Sequence, residues 1–161
     1  MKKIKPIHTS CLAVAITLLL LPAFQAMAQQ ESNQIDTIFP KGEKIANDNF
    51  NDPVWVNALV TADSANQNAV GNVIFASGVR SDWHSHPAGQ IILATGGVGY
   101  YQEKGSPKQI LRKGDVVKCP PNVSHWHGAS RDQAFVQLAI TGREHGPTEW
   151  LRPVREVEYH K

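Results

Sequence analysis

The chain has 161 residues, of which 19% are charged, and a formal net charge of +2. The near balance of 16 basic against 14 acidic side chains provides no basic patch from which to argue nucleic-acid binding. Two cysteines, Cys11 and Cys119, are too few for a disulfide framework.

The first 28 residues read as a secretory signal peptide. Lys2, Lys3 and Lys5 form a positive start, Cys11 to Phe24 an apolar run, and Ala26-Met27-Ala28 a small-residue cleavage site. The run is too short for a good membrane-spanning helix, which leaves an uncleaved anchor as the lesser alternative. Cleavage after Ala28 starts the mature chain at Gln29 and sends it to the periplasm or the medium. Losing three lysines and no acid takes the net charge from +2 to minus one. Removing 28 residues from 161 leaves 133, a length that suits one domain with a moderate core. Only Cys119 then remains, so no internal disulfide braces the exported protein.

Residues 29–51 are polar and weakly patterned, an arm that packs on the domain or on a second subunit. From residue 52 to residue 145 the texture is all-β. Val54 to Thr61, Ala69 to Ala76, Gln90 to Thr95, Val98 to Gln102, Lys108 to Leu111, Asp115 to Cys119, Ser124 to Gly128 and Ala134 to Ile140 each read as a strand. Gly96-Gly97 sits where a tight hairpin would join two of them. Eight short strands separated by turn residues predict a barrel or jelly roll. Residues 146–161 carry Trp150, Leu151, Val154, Val157 and Tyr159, too apolar for a free tail, and predict a strand or short helix that closes the barrel or a dimer contact.

Two stretches carry the chemistry. The first runs from Gly78 to Gly97 and contains His84-Ser85-His86 and Gln90. In a strand His84 and His86 share a face and form a chelating pair, while Pro87-Ala88-Gly89 turns the chain so that the Gln90 carbonyl returns toward the same point. The second runs from Gly114 through Pro120-Pro121-Asn122 to His125-Trp126-His127-Gly128. There His125 and His127 again share a face, and one of them completes the site. The candidate ligands are His84, His86, Gln90 and either His125 or His127. Three neutral imidazoles and an amide leave the double charge of a divalent ion uncompensated, which strengthens it as a Lewis acid. Nitrogen and oxygen donors admit Mn, Fe, Co, Ni, Cu or Zn.

His127 reads either as a proton-moving group beside the ion or as a core histidine satisfied by a backbone carbonyl. Trp83, Trp126, Tyr100 and Phe135 read as core or as cavity lining, and Arg80 as a surface residue or an anion contact at the mouth. Cys119 reads as a small buried hydrophobe.

The two histidine stretches resemble the two motifs of the cupin superfamily, metal-holding antiparallel jelly-roll barrels. Gln90 stands where the general motif has Glu, Asn122 where it has Gly, and Ala129 where it has Asn. The wording from Trp83 to Gln90, from Pro120 to Ala129 and at Leu138-Ala139-Ile140 is similar to the small bacterial cupins that include manganese-dependent hydroxynitrile lyases, and to cupins associated with carboxymuconolactone decarboxylase-like proteins. That resemblance implies a divalent metal, Mn first, on three His and one Gln, here His84, His86, His125 and Gln90, and a homodimer or higher homo-oligomer. It also implies a lyase acting on a small 2-hydroxy or carbonyl compound. The lyases are expected to carry a further histidine where this chain has Gln137, so the base here falls to His127 or to a hydroxide at the ion. A metal-dependent dioxygenase and a non-catalytic metal or small-ligand binding module are the alternatives that the same fold hosts.

Overall fold

The computed structural model describes residues 37–161. The expected leader, residues 1–28, and residues 29–36 of the expected arm lie outside them. The described chain holds ten strands and one short helix. In order these are β1 (Glu43–Ile45), β2 (Val54–Val60), β3 (Asn68–Phe75), β4 (His84–Ser85), β5 (Gln90–Glu103), β6 (Gln109–Arg112), β7 (Val116–Cys119), β8 (His125–Ala129), β9 (Phe135–Gly142), β10 (Glu149–Trp150) and α1 (Glu156–His160). Within the arm, β1 pairs antiparallel with β2 and forms the sheet edge.

The strands follow the path β1-β2-β3-β9-β5-β8-β4-β10, with β6 and β7 also paired to β5. The long strand β5 is the hub. Its first half pairs with β7 and β9 and its second half with β6 and β8. The hairpin expected at Gly96-Gly97 does not form, and the two runs on either side of it are one 14-residue strand. The glycines instead serve a register shift between Ala94 and Gly96, with Gly97 at φ 68°, so the strand bends from one sheet into the other without ending.

The core lies between the sheets. Val54, Phe75, Ile92, Tyr101, Ala129 and Phe135 are all fully buried there. A second cluster, Trp83, Trp126, Val154 and Tyr159, lies under the C-terminal segment, and the Tyr159 hydroxyl donates to the Ala129 carbonyl at 3.0 Å. The expected closing role of residues 146–161 is thus divided between β10, paired with β4, and α1.

Arg80 is 5% exposed and is neither a surface residue nor an anion contact at the mouth. Its guanidinium donates to the Val154 and Gly78 carbonyls and to Glu156, and lies 4.4 Å from the Tyr159 ring centre. It pins the C-terminal segment from below, an assignment hidden in the sequence because its partners in that segment, Val154 and Glu156, lie more than 70 positions away.

Candidate metal centre

Two turns bring the histidine stretches together. Residues 86–89 close a turn in which the Gly89 N–H donates to the His86 carbonyl at 3.0 Å, and Gly89 has φ 77°, a conformation that costs glycine little. The Asn122 N–H donates to the same carbonyl, also at 3.0 Å. Asn122 itself has φ 61°, the left-handed region that asparagine tolerates best after glycine, which explains why it can stand where the motif has Gly. One carbonyl thereby ties both stretches, and β4 meets β8 with His84 and His125 directly opposite each other.

All four histidines are buried, at 0% to 6% exposure. The His84 ring lies 4.4 Å from that of His125, 5.0 Å from that of His86 and 5.2 Å from that of His127, centre to centre. The donor atoms of His84, His125 and His127 all lie within 4.8 Å of one another. The tightest three-histidine cluster among the described residues therefore takes in His127. His86 packs beside it, 5.4 Å from the His125 ring.

The hydrogen bonds decide which nitrogens are free. His84 Nδ1 lies 2.9 Å from the Asp82 carbonyl, and His125 Nδ1 lies 2.9 Å from the Val123 carbonyl. A carbonyl only accepts, so Nδ1 carries the proton in both rings and Nε2 keeps its lone pair. His86 Nδ1 lies 3.1 Å from Thr148 Oγ1, which also accepts from Arg143. The hydroxyl oxygen has lone pairs for both donors, and with His86 Nδ1 as donor the ring leaves Nε2 free, the tautomer that ligation through Nε2 requires. Gln90 donates its amide to Thr141 Oγ1 at 2.9 Å and retains a carbonyl acceptor.

The atoms left over coincide with a donor set. His86 Nε2, Gln90 Oε1, His125 Nε2 and His127 Nδ1 are buried without a hydrogen-bond partner among the described residues. Each such group costs about 1–3 kcal/mol. Ligand nitrogens of His84, His125 and His127 lie within 4.8 Å of one another, and these unpaired nitrogen and oxygen atoms in the same buried region fit a cation that takes such ligands. Burial lowers the pKa of every one of these rings, His84 and His127 well below the ordinary imidazole value and His86 to about 3. The mutual repulsion of the clustered rings adds to this for His84, His86 and His127, so the imidazoles are neutral, as ligation requires.

A cavity of about 460 Å³ opens onto the cluster. Its apolar walls include Val56, Val73, Phe75 and Trp150, with Gln137, Thr141 and Arg143 on β9 and just beyond it. Trp83, Trp126 and Tyr100 are not cavity lining. They belong with Tyr159 to the second cluster, and Phe135 belongs to the main core. The aromatic residues that do reach the site include Phe75, edge-on to His127 at 5.7 Å, Trp150, 4.9 Å from His84, and Tyr101, 5.5 Å from His125, with Phe50 in the cavity wall. Cys119 is 1% exposed, and burial pushes its thiol up to about 12, in keeping with an inert hydrophobe.

The resemblance seen in the motifs extends to whole proteins. Residues 71–141 match the Cupin domain family. The chain is 35% identical over 113 residues to an (R)-mandelonitrile lyase of Granulicella tundricola, an alignment spanning 70% of this chain and 86% of that protein. This chain is a cupin. A cupin-like protein of Thermotoga maritima of known structure is 50% identical to this cupin and superposes with a TM-score of 0.74, covering 78% of this chain and 96% of the other. A cupin 2 conserved barrel domain protein of Rhodopseudomonas palustris, at 18% identity and TM-score 0.54 over 67% of this chain and 72% of its own, shares the fold alone.

Proposed function

We propose that this cupin is an exported, manganese-dependent lyase that cleaves a small 2-hydroxy nitrile or a related 2-hydroxy or carbonyl compound. The observation that carries the reading is the set of neutral, buried imidazoles whose Nδ1 atoms are tied back and whose Nε2 atoms are left free beside an apolar cavity. The 35% identity to a mandelonitrile lyase supports this choice of reaction class. His84, His86, Gln90 and His125 hold the ion, which when bound supplies Lewis acidity toward a substrate oxygen.

The chain's own residues do the rest. The walls at Val56, Val73 and Phe75 exclude water and receive the apolar arm of the substrate. His127, neutral and with Nδ1 unpaired, accepts the hydroxyl proton. As the O–H pair becomes the carbonyl double bond, the bond to the nitrile carbon breaks with its electrons on cyanide, and His127 returns the proton to that leaving group. Thr148 and Thr141 keep His86 and Gln90 oriented. The leader read in the sequence places this activity outside the cytoplasm, and a homodimer is part of the same proposal.

Protein loaded with manganese and given mandelonitrile should release benzaldehyde and cyanide at a rate that chelator abolishes. Failure to turn over this or related 2-hydroxy compounds with any of Mn, Fe, Co, Ni, Cu or Zn would contradict the proposal. Metal retained without turnover would leave a binding module.

A further inference from the structure

Strand β9 sends alternate residues toward the cavity, Gln137, Ala139 and Thr141, and the same alternation reaches Arg143 one residue beyond its end. The backbone of Arg143 is held from both sides. Its N–H donates to the Gln67 carbonyl at 2.9 Å, and its carbonyl accepts from the Gly146 N–H at 3.3 Å in a turn where Gly146 has φ 123°. That turn brings the chain back so that Thr148 meets Arg143. The Arg143 Nη1 donates to Thr148 Oγ1 at 3.1 Å, and the same hydroxyl lies 3.1 Å from His86 Nδ1.

This corner of the cavity has donors to spare. The other N–H groups of the Arg143 guanidinium have no hydrogen-bond or ion-pair partner among the described residues. Thr148 accepts from Arg143 and, with His86 Nδ1 as donor, from the ring as well, so its own O–H proton is committed to neither. Arg143 is exposed and Thr148 half-buried, so a ligand reaches both from solvent. Of the residues that line the cavity, Arg143 alone is a lysine or arginine and none is an aspartate or glutamate. The nearby Glu149 carboxylate lies outside the wall and accepts from Ser85 at 3.2 Å. A wall with one positive charge and no negative one favours an anion, and a planar guanidinium with free N–H groups matches a carboxylate.

We propose that Arg143 and Thr148 bind a carboxylate, so that the substrate is a small organic acid whose 2-hydroxy or carbonyl group is directed to the histidine cluster. The guanidinium and the Thr148 O–H donate to the two carboxylate oxygens, while Val56, Val73 and Phe75 take the apolar body. Two hydrogen bonds separate the arginine from the His86 ring, which places the carboxylate at the end of the molecule away from the reacting oxygen. Mandelonitrile, being uncharged, leaves this corner unused. The proposal rests on the reading of this cavity as the substrate site and narrows that reading to acids. It does not need the ion, because neither residue is among its ligands.

The test compares equilibrium binding of benzoate with that of benzamide, which has the same shape without the charge, by calorimetry on chelator-treated and on manganese-loaded protein. Chelator-treated wild type should bind benzoate at least about tenfold more tightly than benzamide at low ionic strength, a difference of about 1.4 kcal/mol. That preference should shrink severalfold in about 0.5 M salt, because the arginine is exposed. Arg143→Gln should abolish it and Arg143→Lys should retain part of it, with melting temperatures close to that of the wild type. Equal affinities, no binding of either probe at millimolar concentration, or a preference that survives Arg143→Gln would each overturn the assignment. So would a preference that emerges only with manganese, which marks the ion as the carboxylate's partner. Benzoate preference in a protein that turns over no 2-hydroxy compound upholds this site and refutes the lyase reading. Turnover of mandelonitrile without the preference does the reverse.

Discussion

Burial acts on the imidazoles in two ways, and both are testable one residue at a time. It keeps them neutral, and it makes the folded state the less protonated one in mild acid. His86 illustrates the sign. Its pKa falls from 6.5 to about 3 on folding, with burial as the leading cause and the charges of His125 and Arg143 behind it. Between those values the unfolded chain binds more protons, so the stabilisation is full above pH about 6.5 and is lost as the pH falls toward about 3. The denaturant midpoint of metal-free protein should therefore drop between pH about 7 and about 5, before the paired carboxylates of Glu156 and Glu158, whose pKa values are lowered, begin to titrate. A flat midpoint over that interval would show that the rings are hydrated and not buried. His127→Ala should leave bound metal unchanged and lower kcat on mandelonitrile by about 100-fold or more. A variant that loses the metal as well would move His127 from proton acceptor to ligand, the role its closeness to His84 and His125 also permits. The sequence announced His84, His86, Gln90, His125 and His127 through spacing alone. It was silent on Thr141, Thr148 and Trp150, because a threonine that orients a ligand looks like any other threonine until its partner across the fold is known.

Among the elements, β5 and β8 determine whether the site assembles. Strand β5 supplies Gln90 at its first residue and pairs with His125 and His127 near its last, so one continuous strand sets the spacing of the donors. Reading it as two strands and a hairpin was the natural inference from Gly96-Gly97, since a bulge and a turn draw on the same residues and differ only in what the chain meets afterwards. Strands β2, β3, β6, β7, β8 and β9 were legible because their alternation is clear, whereas β1 lay hidden in the weakly patterned arm and the tail was left open between strand and helix because so few residues carry too little periodicity. Gly128, next to His127, touches the chain at Val79 and Arg80. A Cβ there would lie 2.5 Å from the Val79 carbonyl oxygen and from the Arg80 Cα. These are backbone atoms that cannot rotate aside, so Gly128→Ala should cost about 1–3 kcal/mol and weaken metal retention together with stability. A fully stable variant would mean that β8 has slack at this point. Tyr159→Phe removes the donor to the Ala129 carbonyl and should cost about 1–3 kcal/mol by leaving a buried acceptor unpaired. That loss is expected to leave metal binding untouched, since α1 lies in the second cluster and contributes nothing to the cavity wall.

For the whole molecule, the jelly roll explains how a chain of this size gathers its chemistry into one place. The antiparallel sheets bury one face of each strand, and the donors from β4, β5 and β8 all point to that face. The fold was readable before any coordinates because two motifs fixed four of its strands. The reaction was not, because a cupin barrel hosts many chemistries and only the side chains around the ion distinguish them. Everything proposed for the reaction rests on the convergence of the imidazoles on one divalent ion. Calorimetric titration of manganese into chelator-treated protein tests this most directly, with His84→Ala and His125→Ala titrated alongside. The account predicts one ion per chain in the wild type and a loss of more than about 100-fold in affinity in each variant. No saturable binding of manganese or any other divalent ion, or affinities unchanged in both variants, would contradict it.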